Sequence, residues 1–193
     1  MPDEPISTPT PQEEEPISFK LDLYFWIQAL VFAIVILILS FTLVGRIIGV
    51  RGSSMVPTLH NDDLLILRSI GYTPKQGDVV VLRKQAFLTQ PIVKRVIATA
   101  GQHVTVDYTT HAVYVDGEAL DEPYINEVMN DPLSPSMSVL DVTVPEGSIY
   151  VLGDNRNNSS DSRHQLLGTV DTRYVLGRAM WIMFPFSHFG AVK

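Results

Sequence analysis

The chain of 193 residues contains no cysteine. Disulfides, thiolate nucleophiles and cysteine-type zinc sites are therefore excluded. Any domain lying outside the cytoplasm must stand on its hydrophobic core alone. Basic residues are also in short supply, 14 Lys and Arg against 21 Asp and Glu, for a formal net charge of −7. Nucleic-acid recognition needs a basic footprint, so no nucleic acid is expected as a partner. The five histidines are scattered, with no H-x-x-x-H pair or comparable ligand spacing. No metal and no other cofactor is expected from them. There is no internal repeat, and the length fits one domain with an appendage.

What is present begins with a long apolar run. Residues 23 to 45, "LYFWIQALVFAIVILILSFTLVG", carry no charge. A helix needs roughly 20 apolar residues to span a bilayer, and this run supplies them. Tyr24 and Trp26 suit an interfacial anchor. A buried core helix would show a polar face at helical spacing, and none recurs. A cleavable leader would want a basic start, a shorter core and an A-x-A-like exit. Here an acidic tail precedes the run and "LVGRIIGV" follows it. The stretch before it, "MPDEPISTPTPQEEEPISF", is rich in Pro and Glu and cannot bury enough surface to offset its ordering entropy. The expected organisation is a disordered acidic tail (1–20), a transmembrane anchor (21–45) and a β-rich domain (46–193). Lys20 precedes the span while Arg46 and Arg51 follow it. Counted this way, the positive-inside rule leans by one residue towards a cytoplasmic C-terminal domain.

Beyond the anchor the sequence reads as short strands rich in β-branched and aromatic residues: 64–68, 79–84, 92–99, 104–108, 112–117, 139–144, 149–153 and 174–184. Turn signals such as "PKQGD", "DG", "PEG" and "GDN" bound several of them. Alternation on both arms of "VTVDYTTHAVYVDG" predicts a hairpin. A mainly β domain follows.

Three islands carry candidate chemistry. In "GSSMVPTL", residues 52–59, a loop of small residues exposes a hydroxyl, and Pro57 restricts both itself and Val56. Serines in loops are also ordinary turn formers. The second island is Lys94 in "PIVKRVIAT". On a regular strand it shares a face with Ile92, Val96 and Ala98, while Arg95 shares the other with Val93 and Ile97. Such a lysine either snorkels from a sheet edge or is desolvated, with its pKa lowered towards that of a general base. The third island is "GDNRNNSSDSR", residues 153–163, which contains no hydrophobe. Read as a calcium loop from Asp154, it has Arg156 where an acid or amide is needed and Ser159 where Gly is required.

In this order behind one N-terminal anchor, "GSSMVPTL", "GDVVVLRK…PIVKRVIATAG" and "GDNRNNSSDSR" resemble bacterial type I signal peptidases, most closely the short, Gram-positive-type members. The resemblance implies a signal-peptidase-type β domain and a serine endopeptidase that removes signal peptides from exported preproteins. It also implies roles. Ser54, the serine immediately before Met55, is the nucleophile, and Lys94 is its general base. Ser159 helps position the lysine, and Asp161 with Arg163 is a structural ion pair. Gly153 and Asp154 open the supporting motif. Substrates carry small residues one and three positions before the cut, so Met55 and Pro57 are expected to border shallow pockets. Gly52 stands where some members place a hydroxyl, which leaves the oxyanion to backbone N–H groups, that of Ser54 among them. After the lysine the chain departs from the family pattern, with Ala98, Ala100 and Gln102 in place of Gly, Pro and Asp. The family puts the tail inside the cell and the catalytic domain outside the cell membrane, against the charge count. Lipid bilayer and protein-export machinery are then the further partners. The rivals are a self-cleaving repressor-type peptidase, which carries a DNA-binding module where this chain has a span, and a non-catalytic anchored β module.

Overall fold

The structure is a computed structural model that describes residues 19–44 and 46–193. It divides into two units, Met1–Leu39 and Ser40–Lys193. Within the first, most of the expected acidic tail lies outside the described residues. Helix α1 runs from Phe19 to Val44, 26 residues. It therefore takes in Phe19 and Lys20, assigned to the tail on sequence. Uninterrupted by Pro or Gly, it is about 39 Å long at ~1.5 Å per residue. Every side chain from Phe19 to Leu39 is exposed. It is long and apolar enough to cross a membrane.

The second unit is mainly β. Its larger sheet contains β1 (Arg46–Gly49), β2 (Leu64–Arg68), β3 (Val79–Leu82), β4 (Ile92–Thr99), β9 (Ser148–Leu152), β10 (Val170–Asp171), β11 (Val175–Phe184) and β12 (Gly190–Ala191). The smaller contains β5 (His103–Asp107), β6 (Ala112–Val115), β7 (Glu118–Ala119) and β8 (Asp141–Thr143). Strand order is β1-β2-β11-β3-β4-β9-β10 in the first, with β12 on β11, and β7-β6-β5-β8 in the second. All pairings are antiparallel.

The predicted hairpin forms as β5–β6, with Val104 opposite Val115 and Val106 opposite Val113. The "DG" that follows makes a two-residue turn into β7. Asp116 and Gly117 both have positive φ, 53° and 84°, as a turn matched to strand twist requires.

Central strands β3 and β4 are buried on both faces. On β3, Val79 and Val81 join a cluster with Val50, Met55, Leu59, Leu65 and Leu67. Val80 and Leu82 join another with Val96, Ile149 and Val151. This explains the unbroken apolar run "VVVL", because neither face meets water. The residues Ile97, Ala98, Val104, Val113, Tyr150 and Leu152 form a third cluster that joins the two sheets.

Strict alternation fails on β4. A bulge between Val96 and Ala98 gives this strand one residue more than β9 and places Ile97 and Ala98 in the same cluster. The apolar row expected beside Lys94 is thus shortened at Ala98, because an extra residue resets the side-chain period. The turn after β4 survives the departures noted on sequence. Gln102 Oε1 accepts from Thr99 N at 2.9 Å and from Thr99 Oγ1 at 3.1 Å, and Gly101 supplies a φ of 84°.

Candidate active site

Ser54 lies in a loop that leaves β1 and returns to β2. Its base is closed by Val50 N donating to Asp63 O (2.8 Å) and Asp62 N to Val50 O (3.0 Å). Leu59 N donates to Met55 O at 2.9 Å, forming one helical turn inside the loop. Met55 and Leu59 point into the core from that turn and are 1% and 0% exposed. Met55, expected to border a substrate pocket, is buried in the core cluster with Val50, Leu65 and Leu67, where its unbranched side chain packs readily. Pro57 is exposed.

Lys94 is 3% exposed. Its Nζ lies 2.6 Å from Ser54 Oγ and 2.9 Å from Val93 O, close enough for hydrogen bonds to both. Burial pushes its pKa down from 10.5 to about 8; Asp161 and then Asp154 oppose the fall, and Arg163 adds to it. The sheet-edge alternative does not apply, because Val80 on β3 sits directly opposite Lys94 and β9 flanks the strand on its other side. At 2.6 Å the proton between nitrogen and oxygen can be held by either partner, so a neutral amine at the same place accepts from the hydroxyl.

The third island wraps this pair. Gly153 follows Leu152, the ladder partner of Arg95, so it comes level with Lys94. A Cβ on Gly153 would stand 2.3 Å from Ser159 Oγ and 2.5 Å from Ser54 O, so only glycine fits. Ser54 O accepts from Asn155 N at 3.0 Å. Ser53 is held separately, its O by Asn155 Nδ2 (3.1 Å) and its Oγ by Asn158 Nδ2 (2.9 Å). The two adjacent serines thus face different partners.

Asp161 and Arg163 make the expected ion pair, Nε to Oδ1 at 2.8 Å and Nη2 to Oδ2 at 2.9 Å. Asp161 also accepts from Gly153 N at 3.1 Å. Burial pushes the Asp161 carboxyl up, but Arg163 outweighs it and, with Ser159 and Gly153 N, holds it below the usual range. Ser159 sits close enough to Asp161 to favour its ionised form, yet its buried Oγ makes no hydrogen bond of good geometry. It is not among the hydrogen-bond partners of Lys94, whose nitrogen is directed to Ser54 and Val93 O. Asp154 pairs with a residue outside its own motif. Arg95 forks onto it, Nε to Oδ1 at 2.8 Å and Nη2 to Oδ2 at 2.7 Å, and Thr58 Oγ1 donates to the same carboxylate.

Sequence reasoning missed several of these residues. Arg95 links Asp154 to the serine loop and stacks over Tyr124 with 4.0 Å to the ring centroid. Arg156, 1% exposed, is paired with Glu122. The available signal was the arginines themselves: "KR" puts one guanidinium on the buried strand β4 and "NR" another, also buried, in the turn Arg156–Asn158, and a buried arginine demands a carboxylate. The structure also gathers His60, Asp63 and His188; His188 lies 125 residues from Asp63 and so shows no ligand spacing in the sequence.

The family described as "Signal peptidase, peptidase S26" matches residues 23–184. Signal peptidase I of Bacillus licheniformis is 32% identical over 91% of this chain and 96% of its own length. Probable signal peptidase I-1 of Synechocystis sp. is 36% identical over 85% of this chain and 84% of its own. Signal peptidase IB of Staphylococcus aureus is 32% identical over 88% and 94%. With residues 23–184 matched by the family model, and with a loop serine in contact with a buried lysine on β4, the chain belongs to the S26 family of signal peptidases.

Proposed function

We propose that Ser54 and Lys94 are the catalytic pair of a membrane-anchored serine endopeptidase that removes signal peptides from preproteins. One observation carries this reading: a buried amine with a lowered pKa lies 2.6 Å from a serine hydroxyl. A hydroxyl is a weak nucleophile until a base takes its proton, and an amine desolvated to about pKa 8 is partly neutral near pH 7. Ser54 Oγ attacks the scissile carbonyl while its proton passes to Lys94 Nζ. The tetrahedral intermediate expels the new amine, which takes the proton back from Lys94. Water, deprotonated by Lys94, then attacks the Ser54 ester, and Ser54 leaves with the proton restored.

Backbone N–H groups at Ser54 receive the oxyanion, since Gly52 has no hydroxyl to offer. Asn155, holding Ser54 O and Ser53 O, keeps that turn from shifting. Asp161 with Arg163, and Asp154 with Arg95, fix the loop that closes over the lysine. Ser159 fills the space beside Gly153 and limits where the lysine amine can go. Pro57, exposed at the edge of the turn, borders the substrate, whose residues one and three before the cut are small.

The helix anchors the protein in the cell membrane, with the segment before it cytoplasmic and residues 46–193 as the extracytoplasmic catalytic domain. A nucleophile a few residues along the chain from the anchor meets substrates emerging from the bilayer and the export machinery. Incubating the detergent-solubilised protein with a signal-bearing precursor tests the assignment. Wild type and Ser53→Ala should cleave it, and Ser54→Ala should not. Equal loss in both variants, or loss only in Ser53→Ala, would mean that the nucleophile is misassigned.

A further inference from the structure

We propose that His60, Asp63 and His188 form a binding site for a divalent transition-metal ion, of which zinc is the best match, at the base of the Ser54 loop. One ligand atom from each lies within 4.8 Å of the other two. Asp63 is fully buried. Its Oδ2 accepts from His60 N at 2.8 Å, which orients the carboxylate and leaves Oδ1 facing His188 Nδ1 at 3.0 Å. The two imidazole rings lie 4.6 Å apart between centroids, tilted by 36°.

These spacings suit an ion. Zinc bonds of about 2.1 Å in a tetrahedron hold ligand atoms about 3.4 Å apart. Both imidazoles are exposed, so rotation of their rings closes the set around the buried carboxylate. Two nitrogens and one oxygen favour zinc, cobalt, nickel or copper over calcium and magnesium, which prefer all-oxygen shells of six or more. The hydrogen bond from His60 N is the kind of outer support that fixes a ligating carboxylate. Three protein ligands leave a fourth position for water.

The location gives the ion its consequence. His60 and Asp63 belong to the segment that closes the Ser54 loop, through the bonds between Val50, Asp62 and Asp63. His188 belongs to the 3₁₀ turn Phe186–His188 that follows β11. A bound ion cross-links these two segments and fixes the ends of the loop that carries Ser54. Nothing in this inference depends on which serine or lysine acts in catalysis.

The test uses the full-length protein in detergent micelles, stripped of metal, at a pH where imidazole is neutral. Zinc titrated by calorimetry should bind once per chain, and cobalt should give a visible absorption band of tetrahedral type. His60→Gln and His188→Gln should each weaken zinc binding by roughly tenfold or more and lose the cobalt band. His103→Gln, which removes an imidazole paired with Asp141 on the smaller sheet, should bind as wild type does. Metal-free precursor cleavage should persist in all three variants, which shows that they fold. Zinc should also slow hydrogen exchange at the Val50 and Asp62 amides. Absence of saturable one-to-one binding, its survival when both imidazoles are removed, or equal affinity for magnesium would overturn the proposal.

Discussion

Replacing Lys94 by Met separates what the buried amine does for catalysis from what it costs the fold. Burial lowers its pKa from 10.5 to about 8. That depression makes the folded ammonium roughly 3 kcal/mol less favourable than an unperturbed one, at about 1.4 kcal/mol per pH unit. The sign follows from proton counts. In the unfolded chain the lysine keeps its ordinary pKa, so between pH 8 and 10.5 the unfolded state binds more protons. Stability therefore rises with pH across that window. Below it both states are protonated and the full penalty applies; at pH 10 only about 1 kcal/mol of it is left. Met keeps the chain length and removes the charge. Before the lost contacts are counted, Lys94→Met gains about 3 kcal/mol over wild type at pH 6 and about 1 kcal/mol or less at pH 10. Loss of the contacts to Ser54 and Val93 O trims the gain by about 1 kcal/mol at either pH, leaving the trend intact. Urea unfolding followed by tryptophan fluorescence, in micelles at both pH values, reads the difference. The same lysine should give wild-type kcat/KM an acidic limb with an apparent pKa near 8. A stability difference that is flat with pH, or a rate still climbing above pH 10, would refute the reasoning.

Lys94→Arg should be inactive although it keeps the charge, because guanidinium does not give up its proton near neutral pH; precursor cleavage measures this directly. Gly153→Ala should abolish activity while leaving the helix content unchanged, since its Cβ would meet Ser159 Oγ and Ser54 O at 2.3 and 2.5 Å; normal turnover would show that the loop yields freely. Arg163→Met leaves the Asp161 carboxylate buried and unpaired, and should cost roughly 3–5 kcal/mol in denaturant unfolding. EDTA should leave precursor cleavage in place, and inhibition reversed by added metal would contradict a metal-free mechanism. Protease added outside intact spheroplasts should reach the β domain and spare the acidic tail; trimming of the tail alone would reverse the topology.

Much of the architecture was readable in advance because it is written in local pattern. The bounds of β2 and β4 agree with the sequence reading residue for residue, since a short run of β-branched residues between turn formers has few alternatives. The β5–β6 hairpin was legible for the same reason. Edge strands β1, β7, β10 and β12, of two to four residues, were not. Short strands carry little periodicity, and their existence depends on a neighbour offering hydrogen bonds. The bulge in β4 was equally hidden, because an inserted residue is visible only against the partner strand.

For the site, sequence alone supplied the ingredients: Ser54 and Lys94 as members of two motifs, the glycine at 153, and the Asp161–Arg163 pair two residues apart. It also decided the class of chemistry, since with no cysteine the nucleophile had to be an oxygen or nitrogen. Tertiary structure decided the rest. Ser54 and Lys94 are 40 residues apart and come within 2.6 Å only because the serine loop and β4 meet in the larger sheet. The partners Arg95 with Asp154, 59 residues apart, and Arg156 with Glu122, 34 residues apart, have no spacing signal at all. His60 and His188 are further apart still. A motif records what one stretch of chain can do; burial, pKa and ion pairing depend on what other stretches are folded against it, and those terms exist only once the chain has closed.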